Sequence, residues 1–285
     1  MSGQPRYDVH QHLWPAAVLR ELAGRPAPPR IRDGLFEAPG RTPSPVTAED
    51  HALDRRLAHM DAAGIDVALV SLSPTDGFDA RLRELWEDEM LKLADASGGR
   101  LLPLACRRPR AGFRGVTVAA DAVTAGLGSL PAGIAAAEGV LFVHPGPPAQ
   151  PPPGVPAWWA AAADYAVQMQ RALLTWLTRD AAAHPALPVI FTILGGGAPL
   201  LVERYRARGG DLGLARHPQV VVDTASFGQA SLGQFVAMHG TGQLVHGSDT
   251  PVLAPGAAIA ALRQLGGDVL DAATITTPGR LVGLR

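Results

Sequence analysis

The chain has 285 residues, enough for one large hydrophobic core or two modest ones. Hydrophobic residues make up 47% and charged residues 18%, which excludes a disordered polypeptide. The formal net charge of −1, without a long basic or acidic run, excludes nucleic acid or an anionic membrane surface as the main partner. Cys106 is the only cysteine, so an intrachain disulfide or a thiolate metal cage is ruled out. Met1 to Tyr7 holds no apolar signal core and no apolar run is long enough to span a bilayer, so a cytoplasmic protein is expected.

Short β-rich runs alternate with helical patterns along the chain. Tyr7 to Leu13 is the first, and Ile65 to Leu72 (IDVALVSL) has the continuous apolar character of a strand buried on both faces. Further runs lie at residues 100–105, 115–119, 140–143, 188–194, 219–223 and 243–246, giving eight candidate strands. Between them, Leu53, Leu57 and Met60 form one apolar helical stripe, and Leu82, Trp86 and Met90 form another. Thr47-Ala-Glu-Asp50 is a capping sequence ahead of the first of these helices. Ala157 to Thr178 reads as one long Ala-rich helix in which the pair Trp158 and Trp159 serves packing. This alternation means a parallel sheet, either open or closed into a barrel. Only Cys106 to Arg114 separate the third and fourth strands, so no full helix fits there. The reading is a (β/α)₈ TIM barrel without its outer helix between strands 3 and 4, a single domain spanning 1–285. Proline- and glycine-rich insertions near 24–45 and 145–156 follow strand ends, where barrel enzymes place loops that cover a site.

Four polar groups sit at predicted strand ends. In Asp8-Val-His-Gln-His12, residues two apart on a strand face the same side, so His10 and His12 can grip one ion. His144 follows Leu141-Phe-Val143, and Asp249 lies in Gly247-Ser-Asp-Thr-Pro251 after the last strand. Each alone has an ordinary structural explanation: chance surface histidines, a hydrogen-bonding core histidine, an Asx turn. The set of four in this order points to a metal. Asp8 reads as structural rather than catalytic. His51, His59, His184, His217 and His239 read as solvated or capping residues.

The segments Asp8–Trp14, Met60-Asp-Ala-Ala-Gly-Ile-Asp66, Phe142-Val-His-Pro-Gly146, Leu194-Gly-Gly-Gly-Ala-Pro199, Val222-Asp-Thr-Ala-Ser226, Gly247–Pro251 and Gly279-Arg-Leu-Val-Gly-Leu284 span almost the whole chain. Together they resemble the amidohydrolase-related (amidohydrolase 2) family of metal-dependent hydrolases, in the aminocarboxymuconate-semialdehyde decarboxylase-like branch. The resemblance implies that His10, His12, His144 and Asp249 hold one divalent ion, with zinc expected first and Mn²⁺ or Co²⁺ as alternatives. Binuclear relatives bridge two ions with a carboxylated lysine, but Lys92, the only lysine, lies in a polar helical stretch, which favours one ion. The family's glycine run is usually preceded by a histidine that acts as acid/base or electrostatic stabiliser. This chain has Ile193 there, which can neither transfer a proton nor donate a hydrogen bond. Three readings follow: Asp249 handles the proton alone; Thr192, Asp223 or His246 replaces the histidine; or the barrel binds without turning over.

The first expectation is a metal-dependent hydrolase of a small lactone, ester or cyclic amide, with Asp249 catalytic and a metal-activated water as nucleophile. The alternative on the same site is non-oxidative decarboxylation of a small unsaturated or aromatic acid. An arginine near the pocket would favour that reading, with Arg107, Arg108 and Arg110 as candidates. The third is a non-catalytic metal- or ligand-binding barrel. Trp14, Arg107 and Ile193 are the candidate substrate contacts. A small molecule is the expected partner, and the family resemblance is compatible with a homodimer.

Overall fold

The computed structural model describes residues 3–282. Its eight-stranded parallel sheet has the order β1 (Tyr7–His12), β5 (Val67–Ser71), β6 (Leu101–Ala105), β7 (Gly115–Ala119), β8 (Val140–His144), β9 (Val189–Phe191), β10 (Val220–Asp223) and β11 (Leu244–Val245). Seven fall inside runs expected from the sequence, and β8 extends its run 140–143 by one residue, to His144. The ring closes where the chain after β11 returns to β1: Val9 N donates to His246 O and Asp249 N donates to His10 O, both at 2.8 Å. Val9, Leu69, Leu104, Phe142, Ile190, Val221 and Val245 fill the barrel interior. Two further apolar layers lie between the sheet and the surrounding helices, one containing Val116, Leu141 and Leu173, the other Val70, Leu82 and Trp86. Burial on both faces is why these strands read as unbroken apolar runs.

No helix forms between Ala105 and Gly115, as the shortness of that connection requires. The 24–45 insertion folds into a three-stranded antiparallel sheet, β2 (Arg30–Arg32), β3 (Leu35–Glu37) and β4 (Ser44–Pro45). Residues 145–156 form no helix or strand. The long helix is real but irregular, with π-helical turns at Ala160–Asp164 and Trp176–Asp180 flanking the regular stretch Tyr165–Thr175. Trp158 is exposed rather than packed, which corrects its expected role in helix packing. Thr47 does cap, since its Oγ1 accepts from Asp50 N at 3.1 Å. The element it caps is a short 3₁₀ turn, Glu49–His51, and α2 (Leu53–Ala63) begins only after it. At the C-terminus Thr277–Val282 is helical, as the resemblance implied; Gly283 and Leu284 lie outside the described residues.

Two helices fix the C-terminal end of β1. From α2, the buried Arg56 guanidinium donates to Gln11 Oε1 at 3.0 Å and to His12 O at 2.8 Å. From α3 (Ala80–Ala96), Trp86 Nε1 donates to Leu13 O at 2.7 Å. Both side chains are at most 1% exposed, so their partners have no water to fall back on. Burial pushes the Arg56 pKa down to about 10, still well above neutrality, so the group is charged and must stay bonded. Arg56→Ala is therefore expected to lower unfolding free energy by about 3 kcal/mol, because it strands two buried acceptors. Urea titration measures this, and a loss under ~0.5 kcal/mol would show that β1 is held by other means.

Candidate metal centre

At the C-terminal end of the barrel, β1 contributes His10 and His12, β8 ends on His144, and the segment after β11 supplies Asp249. All four residues are buried, and one ligand atom from each lies within 4.8 Å of all the others. His10 Nε2 is 3.2 Å from His12 Nε2, and Asp249 Oδ1 is 3.4 Å from the first and 3.2 Å from the second. Ligands on a tetrahedral ion with bonds of about 2.1 Å stand roughly 3.4 Å apart, so these separations suit a single cation. The three imidazoles lie 5.0–5.3 Å apart by centroid and nearly perpendicular to one another.

Backbone and carboxylate partners decide which ring nitrogens face inward. His10 Nδ1 donates to Asp223 Oδ2 at 2.7 Å, His12 Nδ1 to Ser71 O at 2.9 Å, and His144 Nδ1 to Pro145 O at 2.9 Å. Since each of these oxygens only accepts, each Nδ1 carries a hydrogen and each neutral ring turns a bare Nε2 lone pair toward the others. Asp249 Oδ1 is buried without a hydrogen-bond partner. The His12 Nε2 beside it sets lone pair against lone pair, which is repulsive unless a cation lies between. Orphaned oxygen, converging lone pairs and spacing all fit one divalent ion held by these four residues.

Local backbone explains how the donors are placed. Asp249 has φ +58°, a left-handed conformation that a non-glycine residue holds only under constraint. Its N–H bond to His10 O supplies that constraint. Gly247 must lack a side chain, since a Cβ there would lie 2.8 Å from both Asp223 Oδ2 and His10 Cβ. Asp8 accepts from His10 N at 3.1 Å, Gln11 Nε2 at 2.7 Å and Ser248 N at 3.0 Å, a structural tie between the first strand and the last segment.

A cleft of about 300 Å³ opens over His12, His144 and Asp249, walled by Trp14, Phe36, Arg41, His51 and Asp76. Trp14 thus stands where the sequence suggested. Arg107 and Ile193 do not. Arg107 is exposed at the end of β6 and lines a neighbouring cavity, while Arg110 is paired with Glu87 at 2.9 Å and Asp88 at 2.6 Å. Residues 193–197 all have positive φ, a left-handed turn that packs Ile193 against the outer apolar layer. Gly196 permits this turn, because a Cβ there would meet Ala166 O at 2.2 Å. Nor do the suggested substitutes for the missing histidine line the cleft: Asp223 is committed to His10, His246 sits between Thr224 and Asp8, and Thr192 is fully buried. Lys92 is exposed on α3, paired with Glu89, far in role from any bridging ligand.

Two cleft residues escaped sequence reasoning. Arg41, from the 24–45 insertion, donates to Thr75 Oγ1 at 2.9 Å and Asp76 Oδ1 at 3.0 Å. His51 is buried rather than solvated, stacked on Trp14 with centroids 5.0 Å apart, and its Nδ1 accepts from Trp14 N at 3.0 Å. Burial, then the Arg56 charge, lowers its pKa to about 4, so the ring is neutral and its one hydrogen is on Nε2. For His51 the Thr47–Asp50 cap was the available signal, since it opens the turn that presents this residue.

No protein-family model matches the chain, and no curated protein matches it in sequence. Solved structures do. IDCase of Metarhizium anisopliae in apo form is 18% identical, with 99% of this chain and 97% of that chain covered at a TM-score of 0.74. The 5-carboxyvanillate decarboxylase LigW of Sphingomonas paucimobilis is 19% identical, covering 99% and 100% at 0.69. A dihydroxybenzoic acid decarboxylase of Polaromonas sp. JS666, solved with bound manganese and the inhibitor 2-nitroresorcinol, is 15% identical, covering 98% and 97% at 0.66. At these identities the likeness establishes a shared fold, the barrel that the sequence resemblance implied.

The His10 environment gives a pH prediction. Burial lowers its pKa, but the Asp223 and Asp249 carboxylates outweigh that and hold it at about 9, above the ordinary 6.5. In metal-free protein the proton on His10 thus stabilises the fold fully below pH ~6.5, and that contribution is lost as pH rises through about 9. A metal must displace this proton, so affinity should rise with pH up to about 9 and binding near pH 7.5 should release about one proton. Calorimetry in buffers of differing ionisation enthalpy counts the protons; none released would contradict the assignment of His10. Asp223→Asn should weaken metal binding about 10–100-fold with all four ligands still present.

Proposed function

We propose that the chain is a metal-dependent, non-oxidative decarboxylase of a small aromatic or unsaturated acid, a member of the amidohydrolase-related family its sequence resembles. One observation carries the choice of reaction: a guanidinium, Arg41, faces the same cleft as the four metal-binding residues. The sequence ranked hydrolysis first and held that an arginine near the pocket would favour decarboxylation, and Arg41 lines the cleft where Arg107 does not. The names of the structural neighbours, two of them decarboxylases of ring acids, support the same ordering.

A divalent ion, Mn²⁺ or Zn²⁺, held by His10, His12, His144 and Asp249, would supply Lewis-acid polarisation of a substrate oxygen. This chain's own groups do the rest. Trp14 and Phe36, whose rings meet edge to face at 4.6 Å, form an apolar wall for a flat ring. Arg41 offers a planar, charged donor to a carboxylate and is itself oriented by Asp76, which burial holds protonated to higher pH than an ordinary aspartate. His51 presents its neutral Nε2–H as a fixed hydrogen-bond donor. Asp249, the cleft carboxyl grouped with the three histidines, is assigned the proton that replaces the lost carboxyl group on carbon.

The test is to load the protein with Mn²⁺ and Zn²⁺ in parallel and assay CO₂ release from dihydroxybenzoates and 5-carboxyvanillate, with a lactone and ester panel alongside. Chelation should abolish CO₂ release and re-addition of metal restore it. Ester or lactone cleavage without CO₂ would return the assignment to a hydrolase, and stoichiometric metal with no turnover would leave a binding barrel. Arg41→Ala should reduce kcat/KM about 10–100-fold, mostly through KM, from loss of about 1.5–3 kcal/mol of charge-assisted hydrogen bonding. Metal content should be unchanged.

A further inference from the structure

A second cavity, about 380 Å³, lies beside the metal cleft on the β6–β7 side of the barrel mouth, and the two meet at Ser73. Leu72, Phe78, Leu127 and Leu130 give it an apolar wall. Arg83 and Arg107 also line it, with Asp121 as its one carboxylate. Arg107 has no hydrogen bond or ion pair with any described residue. Arg83 donates only to Phe78 O, and its Nε is buried without a partner. The carboxylates near Arg83 are already engaged: Asp79 by Arg25 at 3.0 Å and Glu87 by Arg110 at 2.9 Å. Thr117 on β7, 3% exposed, has a buried Oγ1 with no partner, and it too lines this cavity.

Two guanidiniums on one partly apolar cavity repel each other, and neither forms an ion pair with a described carboxylate, Asp121 included. Burial, followed by the Arg107 charge, depresses the Arg83 pKa, which is the cost of that arrangement. An anion at this position would satisfy both cations, and guanidinium planes favour carboxylate geometry. We propose that this cavity is a second small-molecule site that takes an aromatic or branched carboxylate, separate from the metal centre and independent of the reaction assigned to it. The acid group lies between Arg83 and Arg107, and the apolar body rests against Phe78 and Leu130.

The test titrates benzoate into chelated, metal-free protein by calorimetry, with Arg107→Ala and Arg41→Ala variants. Arg107 is exposed, so its truncation should not disturb folding. One benzoate site should persist in the Arg41→Ala protein and weaken at least about 10-fold in Arg107→Ala. Absence of binding at millimolar benzoate, or binding that depends on Arg41 and not on Arg107, overturns the proposal. Equal benzoate affinity in wild type and Arg107→Ala would place the ligand elsewhere and overturn it.

Discussion

Backbone hydrogen bonds from Asp249 N to His10 O and from His12 N to Thr250 O join the first strand of the barrel to its last segment. The metal centre depends on that seam. His10 and His12 come from the start of the chain and Asp249 from near its end, and only closure of the sheet brings them within ligand distance. The seam is reinforced by Asp8, which accepts from Ser248 N, and by Val9 N, which donates to His246 O. Arg56 and Trp86 then clamp the far end of β1 from the helices. The positive φ of Asp249 is sustained by this network, so barrel closure and ligand placement are one structural event.

Charge in the same region favours a cation. Asp8, Asp223 and Asp249 are all at least nine-tenths buried, against one buried guanidinium, Arg56. Uncompensated buried carboxylates are unfavourable by several kcal/mol each. Asp8 is offset by Arg56, reached through Gln11, and Asp223 by His10. Asp249 is left, drawn below the usual carboxylate range despite its burial by the surrounding histidines. Without metal, a proton on His10 supplies the missing charge. With it, the ion does so and also resolves the three facing lone pairs, and both states are served by one set of Nδ1 partners.

The barrel was legible because strands buried on both faces leave continuous apolar runs, and the ligands were legible because they sit at the ends of those runs. Arg41 and His51 were not. Each reaches the cleft through tertiary placement of irregular chain: Arg41 from the small antiparallel sheet, His51 from a 3₁₀ turn where helical periodicity put it on a solvated face. Arg107 was misplaced for the complementary reason. Its position after a barrel strand was read correctly, but which side of the mouth a loop covers depends on its neighbours. Ile193 was found by comparing motifs, yet its exit from the site follows from a left-handed turn that only the glycines after it hint at.

Ile193, standing where the resembled family usually has a histidine, bears differently on the two reactions considered. Hydrolysis moves a proton twice, off the attacking water and onto the leaving group, and a lone carboxylate must then serve both as base and as acid. Non-oxidative decarboxylation needs one proton, delivered to carbon after the carboxyl group departs, and the rest of the work is holding a flat anion in line with an electron-withdrawing centre. The cleft is provisioned for the second task. Trp14 and Phe36 would fix the plane, Arg41 and the His51 Nε2–H the polar edges, and Asp249 is the cleft carboxyl grouped with His10, His12 and His144. A site with abundant positioning groups and a carboxyl placed for one proton transfer suits a decarboxylase of a ring acid, and on that reading the reaction has no use for an acid/base group at Ile193.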